Sequence, residues 1–238
     1  MTRRQALHAA ISWLSLLSLL PFLLASCEAD SYEKGDGQWS HTVADFGELW
    51  ADGQKQGVSF VTDEGANFML DKVVRASWIK TADSTYRASL YYNPVAAGVV
   101  HPVSCALVST VRAKDPSAFS RQPQDPLGIE SCWLSKSGKY LNLALLLKNG
   151  RDSEGKETVH TIALVLDETR QNADGTLTDC CRLLHDKHNA PEYYTNRTYV
   201  SILLPTTNRS DSVQLTINTY TGNWTKTIRV KQQTIKGE

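Results

Sequence analysis

Histidine and carboxylate side chains gather in His185-Asp186-Lys187-His188, with His160 one strand earlier. Imidazole nitrogens and a carboxylate can hold a metal ion that activates water. Two features oppose that chemistry here. Lys187 sits within the run and repels a cation. On an extended strand, neighbouring residues such as His185 and Asp186 point to opposite faces. No metal centre is therefore expected, and a metal-dependent hydrolase using His160, His185 and His188 is the least favoured functional reading. A serine hydrolase needs a nucleophile on a strained turn, and no Gly-x-Ser-x-Gly occurs. No phosphate-cradling glycine loop occurs either. The sequence thus points away from an enzyme, with no catalytic residue and no cofactor. Trp39, Trp50, Trp78, Trp133 and Trp224 could offer stacking faces to a sugar. Tryptophan in a β protein also serves as core.

Cys105, Cys132, Cys180 and Cys181 form the second set of reactive groups. In an exported chain they could oxidise, and four thiols allow three pairings. Cys105 with Cys132 is the first pairing to test. Cys180 and Cys181 are adjacent, so a strand would send them to opposite faces. Their spacing matches no zinc site.

The remaining cysteine, Cys27, has a different setting. Arg3 and Arg4 supply positive charge, residues 9–25 carry none, and the stretch closes on Leu24-Ala25-Ser26-Cys27. A basic start, an apolar middle and small residues at the end describe a secretory signal. The apolar run lies near the lower limit of about 17 residues for a spanning helix, and Pro21 interrupts it. The Leu24–Cys27 pattern resembles the lipobox of bacterial lipoproteins. That resemblance implies cleavage between Ser26 and Cys27 and acylation of the Cys27 thiol. One acyl chain holds a protein to a membrane only marginally, and two or more hold it durably. Residues 27–38, polar and glycine-containing, are expected to form a tether.

The elements behind the tether read as β throughout. Val, Thr, Tyr, Ile and Leu recur in short alternating runs between turn residues. Val58 and Phe60, the turn Asp63-Glu64-Gly65, and Ala66–Leu70 predict a hairpin. Further strands are expected at Val73–Ile79, Tyr86–Tyr92 and Val103–Val111. Together they suit a small OB-like barrel over residues 39–113. Residues 114–128 hold three prolines and predict a linker. Lys139–Leu147, Val159–Leu166, Leu177–Leu184, Tyr199–Leu204, Val213–Thr219 and Lys226–Lys231 predict an antiparallel β-sandwich over 129–238. The fold expected is all-β. The formal net charge of the chain is zero, which argues against a nucleic-acid partner.

Several stretches resemble the NigD-like lipoproteins of Bacteroidetes. They are Val61-Thr62-Asp63-Glu64-Gly65, Gly138-Lys139-Tyr140-Leu141-Asn142-Leu143, Val159-His160-Thr161-Ile162, Leu183-Leu184-His185-Asp186, and Ser212-Val213-Gln214-Leu215 leading to Asn218-Thr219-Tyr220. The resemblance implies an N-terminal OB-like barrel and a C-terminal sandwich. It implies no activity, and it links the chain to bacteriocins only by association. Many such proteins carry an acidic run after the lipid cysteine. Here Glu28-Ala29-Asp30 is a diluted version, which leaves the face of the outer membrane undecided. The expected function is a non-enzymatic module of the cell envelope, anchored to the outer membrane through Cys27 and engaging a protein partner. A glycan-binding lipoprotein is the alternative.

Overall fold

A computed structural model describes residues 41–151, 153–207 and 210–230. Trp39, the signal, Cys27 and the tether lie outside these residues.

Five strands close a barrel: β1 (Val43–Ala51), β2 (Gly57–Thr62), β3 (Asn67–Val74), β4 (Ser84–Ala96) and β5 (Val99–Leu107). Their order around the barrel is β1-β2-β3-β5-β4, and β1 pairs antiparallel with β4 to close it. β3 and β5 run parallel through Met69↔Val99 and Leu70↔Val100. This is the small Greek-key barrel that the alternation predicts. Alternate residues Ala88, Leu90 and Tyr92 of β4 turn inward onto Leu49, Phe60, Leu70 and Val100.

One expected strand is redirected. Val73–Ile79 reads as strand, but β3 ends at Val74. The chain then turns inward, with Ile79 N–H donating to the Ala76 carbonyl at 3.1 Å. Ile79 is buried in the barrel core and Trp78 packs edge-on against Tyr86. Tyr86 OH accepts from the Lys80 and Thr81 amides at 2.9 and 2.7 Å and pins this segment. Burying Trp78 and Ile79 inside the barrel outweighs their strand preference.

The sandwich uses β6 (Ser109–Val111), β7 (Ala113–Lys114), β8 (Gly128–Leu134), β9 (Tyr140–Asn149), β10 (Thr161–Gln171), β11 (Leu177–Asp186), β12 (Tyr194–Leu203), β13 (Ser212–Thr219) and β14 (Gly222–Arg229). One sheet has the order β14-β13-β11-β10-β7 and the other β6-β12-β9-β8. The sandwich is not wholly antiparallel. β13 is antiparallel to β14 but parallel to β11. The short strands β6 and β7 also pair in parallel, with β12 and β10. Leu141, Leu143, Leu145 and Leu147 of β9 face Leu164, Leu183, Leu215 and Ile217 in the core.

The linker expected at 114–128 does not separate the two bodies. Buried Val108 alone stands between β5 and β6, and its amide donates to the Arg87 carbonyl at 2.9 Å. The sandwich therefore starts at Ser109. Residues 115–127 run along it: Asp115 caps a 3-10 turn at Pro116–Ala118, Gln124 bridges to His185, and Leu127 is fully buried in the core. Pro116 follows the end of β7, and Pro123 and Pro126 lie in the connection to β8 without freeing the chain.

The close approach of β1 and β2 depends on Gly47. A Cβ there would lie 2.3 Å from the Val61 carbonyl oxygen and 2.5 Å from the Phe60 ring. Gly47→Ala must push backbone apart, an overpacking that costs about 1–3 kcal/mol. The urea midpoint should fall accordingly; an unchanged midpoint would show that β1 and β2 can separate at no cost.

Candidate functional site

Of the expected histidines, His160 and His185 come together and His188 does not join them. His160 precedes β10, and His185 lies in β11, which pairs with it. Their rings are 13° from parallel with centroids 5.1 Å apart, and His160 Nδ1 lies 2.8 Å from His185 Nε2. Atoms in face contact sit about 3.5–4.0 Å apart. The two rings therefore meet end to end along a hydrogen bond. His185 Nδ1 is 2.9 Å from the Asp125 carbonyl, so that nitrogen carries the proton and donates. Its Nε2 then accepts from His160 Nδ1–H. The far nitrogen of His160 is 3.0 Å from the Asn149 carboxamide oxygen. In the neutral pair Asn149 turns its NH₂ to this nitrogen; a protonated pair takes the oxygen.

His188 leaves the pair. It reaches Thr161 Oγ1 at 2.8 Å and Asp186 at 3.5 Å. A zinc ion needs ligand bonds of about 2.0–2.1 Å, and two nitrogens 2.8 Å apart on one line leave no room for it. The histidines thus form a structural relay that ties residues 123–125 to β9, β10 and β11. Among the described residues, no group of three or more His, Cys, Asp or Glu is placed to hold a metal.

Burial, reinforced by the charges of His185, His188 and Lys187, holds His160 below the usual histidine range, with Asp125 opposing. Burial also lowers His185, against the carbonyl and charge of Asp125 and the charge of Asp186. The native state resists protonation, while the unfolded chain takes protons near about 6.5. Stability should fall as pH drops below that value. His160→Gln should lose less stability than wild type between pH 7.5 and 5.5, read as the shift in urea midpoint. Equal losses would contradict the relay.

The tryptophans scatter. Trp78 packs in the barrel, Trp133 meets Phe46 edge-on at 5.8 Å, and Trp224 packs against the sandwich core. Only Trp50, of the described four, is fully on the exposed side, at 42%. No aromatic row forms among them, so the glycan reading gains no support.

The expected Cys105–Cys132 disulfide is absent. Cys105 packs against the barrel core and Cys132 against the sandwich core, so each belongs to a different body, and all four described cysteines are free. Burial pushes the Cys105 thiol up to about 12 and that of Cys132 to about 11. Cys180 and Cys181 do point opposite ways: Cys181 enters the core, and Cys180 reaches Gln214 Oε1 at 3.4 Å.

The densest polar constellation was not singled out by the sequence. Arg87 of β4 has a side chain only 2% exposed. Its guanidinium grips Asp63 through two bonds, 2.5 and 2.7 Å. Arg87 Nε donates to Ser201 Oγ of β12 at 3.1 Å, and Nη2 to Asn142 Oδ1 of β9 at 3.0 Å. Ser201 Oγ donates to the same Asn142 oxygen at 2.7 Å. The Tyr140 ring lies 4.1 Å beneath the guanidinium carbon. Beside it, Glu48 accepts from Lys139 Nζ at 2.6 Å and Tyr140 OH at 2.5 Å. Burial opposes the Glu48 charge, but these bonds and the charges of Lys139 and Arg87 outweigh it and hold the carboxyl below its usual range. Barrel residues thus meet sandwich residues through a closed polar network. Among the described residues, no buried side-chain polar atom lacks a hydrogen-bond partner.

Removing one member of a buried pair leaves the other charge uncompensated, at about 3–5 kcal/mol. Asp63→Ala should therefore destabilise the protein strongly. Adding Arg87→Met should restore part of the loss, measured by denaturant unfolding. An Asp63→Ala cost below that of an exposed ion pair, about 0–1 kcal/mol, would contradict the burial of this charge.

No family model matches the chain, and no curated protein matches it. Solved structures do. A NigD-like immunity protein from Bacteroides caccae aligns with a TM-score of 0.59 at 18% identity, over 77% of this chain and 91% of its own. A protein of unknown function from Bacteroides vulgatus aligns at 0.59 and 15% identity, over 83% and 94%. A candidate lipoprotein from Bacteroides fragilis aligns at 0.53 and 12% identity, over 80% and 100%. At these identities the likeness is one of fold, and the chain shares the all-β architecture of the NigD-like immunity protein.

Proposed function

We propose that this chain is a non-enzymatic lipoprotein of the cell envelope, anchored to the outer membrane by acyl chains on Cys27, that binds a protein partner. The observation that carries the binding reading is the contrast between interior and surface. The strongest polar groups, Arg87, Asp63, Asn142 and Ser201, bond one another and hold the fold. Apolar side chains meanwhile stand exposed on the outside of the barrel. Trp50 is 42% and Met69 57% exposed. They flank Ser59 on either side, through Trp50↔Ser59 and Ser59↔Met69, so three adjacent strands present them together. Val61, two residues along β2, adds to the same face. Apolar side chains grouped on a surface mark interaction sites.

The anchor rests on Leu24-Ala25-Ser26-Cys27 and the polar stretch after it, and the fold likeness to a candidate lipoprotein supports it. A role resembling that of the immunity protein from Bacteroides caccae is a further reading supported by fold and by the sequence resemblance. Fold alone does not assign it.

Two variants separate anchoring from binding. Cys27→Ala should abolish acyl labelling and release the protein from membranes; full membrane retention would refute the anchor. In intact cells, crosslinking should recover one recurring protein partner from wild type and much less from Trp50→Asp/Met69→Asp. Recovery of no recurring partner would refute the binding reading.

A further inference from the structure

The chain crosses from one sheet of the sandwich to the other within a few residues. β6 pairs with β12, β7 pairs with β10, and Arg112 alone lies between them. These edge strands have three and two residues, too few to close the seam between the sheets. A pocket of about 200 Å³ opens there, lined by Leu164, Leu166, Cys181, Ile202, Leu204 and Val213, with Arg112 also at its wall. A second pocket of about 330 Å³ is bounded by Arg112, Lys114 and Phe119. Arg112 and Leu164 line both.

The lining and the rim differ in character. Burial pushes the Cys181 thiol up to about 12, so it stays neutral and acts as an apolar wall. At about 200 Å³ the pocket has room for a small apolar group between the sheets. Arg112 and Lys114 are exposed, and their side chains have no hydrogen-bond or ion-pair partner among the described residues. The carboxylate at the first pocket, Asp179, has its Oδ1 taken by the hydroxyls of Thr169 and Ser210, each at 2.7 Å. Those hydroxyls leave the Asp179 charge in place, so Arg112 and Lys114 together give the seam two cations against one carboxylate, a net positive charge.

We propose that this seam binds a single-chain anionic amphiphile, its apolar tail entering between the sheets and its acidic head group pairing with Arg112 and Lys114. The volume admits one short chain or the end of a longer one. The head group gains two cations whose side chains have no other partner among the described residues, one of them a guanidinium suited to bidentate pairing with a carboxylate or phosphate. The site is separate from the barrel face assigned to a protein partner, so it stands or falls independently of that reading.

The test uses the full mature chain carrying Cys27→Ala, which keeps detergent out of the sample. Titration with decanoate below its micellar range, followed by calorimetry, should show one saturable site. Decanol, which has the tail without the charge, should bind at least tenfold more weakly. Arg112→Glu/Lys114→Glu should weaken decanoate at least tenfold and leave decanol unchanged. Both positions are exposed, so the variant should keep the wild-type thermal midpoint. Ala113→Trp, at the pocket wall, should weaken both probes. Absence of saturable decanoate binding would overturn the proposal, as would decanoate affinity indifferent to both variants.

Discussion

A guanidinium cannot lose its protein-side partners and remain in a dry interior, and Arg87 imposes that condition on this fold. Its charge lies where the barrel meets the sandwich, 2% exposed. Asp63 supplies the counter-charge from the turn after β2, and Ser201 and Asn142 accept two further N–H bonds from two strands of the sandwich. Desolvating such a pair is costly unless every donor finds an acceptor. The network therefore gives the two bodies one permitted arrangement, and Tyr140 and Glu48 close its side.

This requirement explains β9. Its odd-numbered residues Leu141, Leu143, Leu145 and Leu147 form the sandwich core, as the alternation predicts. Its even-numbered residues Tyr140, Asn142 and Ala144 are buried as well. Tyr140 and Asn142 face the Arg87 network on the other side. A strand buried on both faces reads as nearly continuous apolar sequence, and Tyr140-Leu141-Asn142-Leu143-Ala144-Leu145 has that character with one polar exception. The exception is the residue that bonds Arg87.

Local pattern carried much of this architecture. Inward Ala88, Leu90 and Tyr92 define the barrel side of β4, and alternation defines the hydrophobic side of β13. Arg87 alternates to the outside of β4, where a local pattern assigns it to solvent. Its burial comes from a strand more than fifty residues away, and no window of neighbouring residues contains that information. The same limit applies to residues 114–128. Prolines correctly signal a break in the strands, yet the full burial of Leu127 is decided by β13 across the sheet. Trp78 and Ile79 have strand-like side chains and leave the sheet because the barrel interior offers them more burial. For the histidines, type and proximity were legible, but the in-line contact that turns His160 and His185 into a hydrogen-bonded relay depends on register.

A junction locked by a buried charge should make barrel and sandwich open as one cooperative unit. Native-state hydrogen exchange measures this directly, strand by strand. The account predicts that the slowest amides of β4 and of β9 exchange with the same opening free energy in wild type, and that Arg87→Met lets β4 open at lower free energy than β9. Independent opening of the barrel in wild type, with the same values after Arg87→Met, would contradict it.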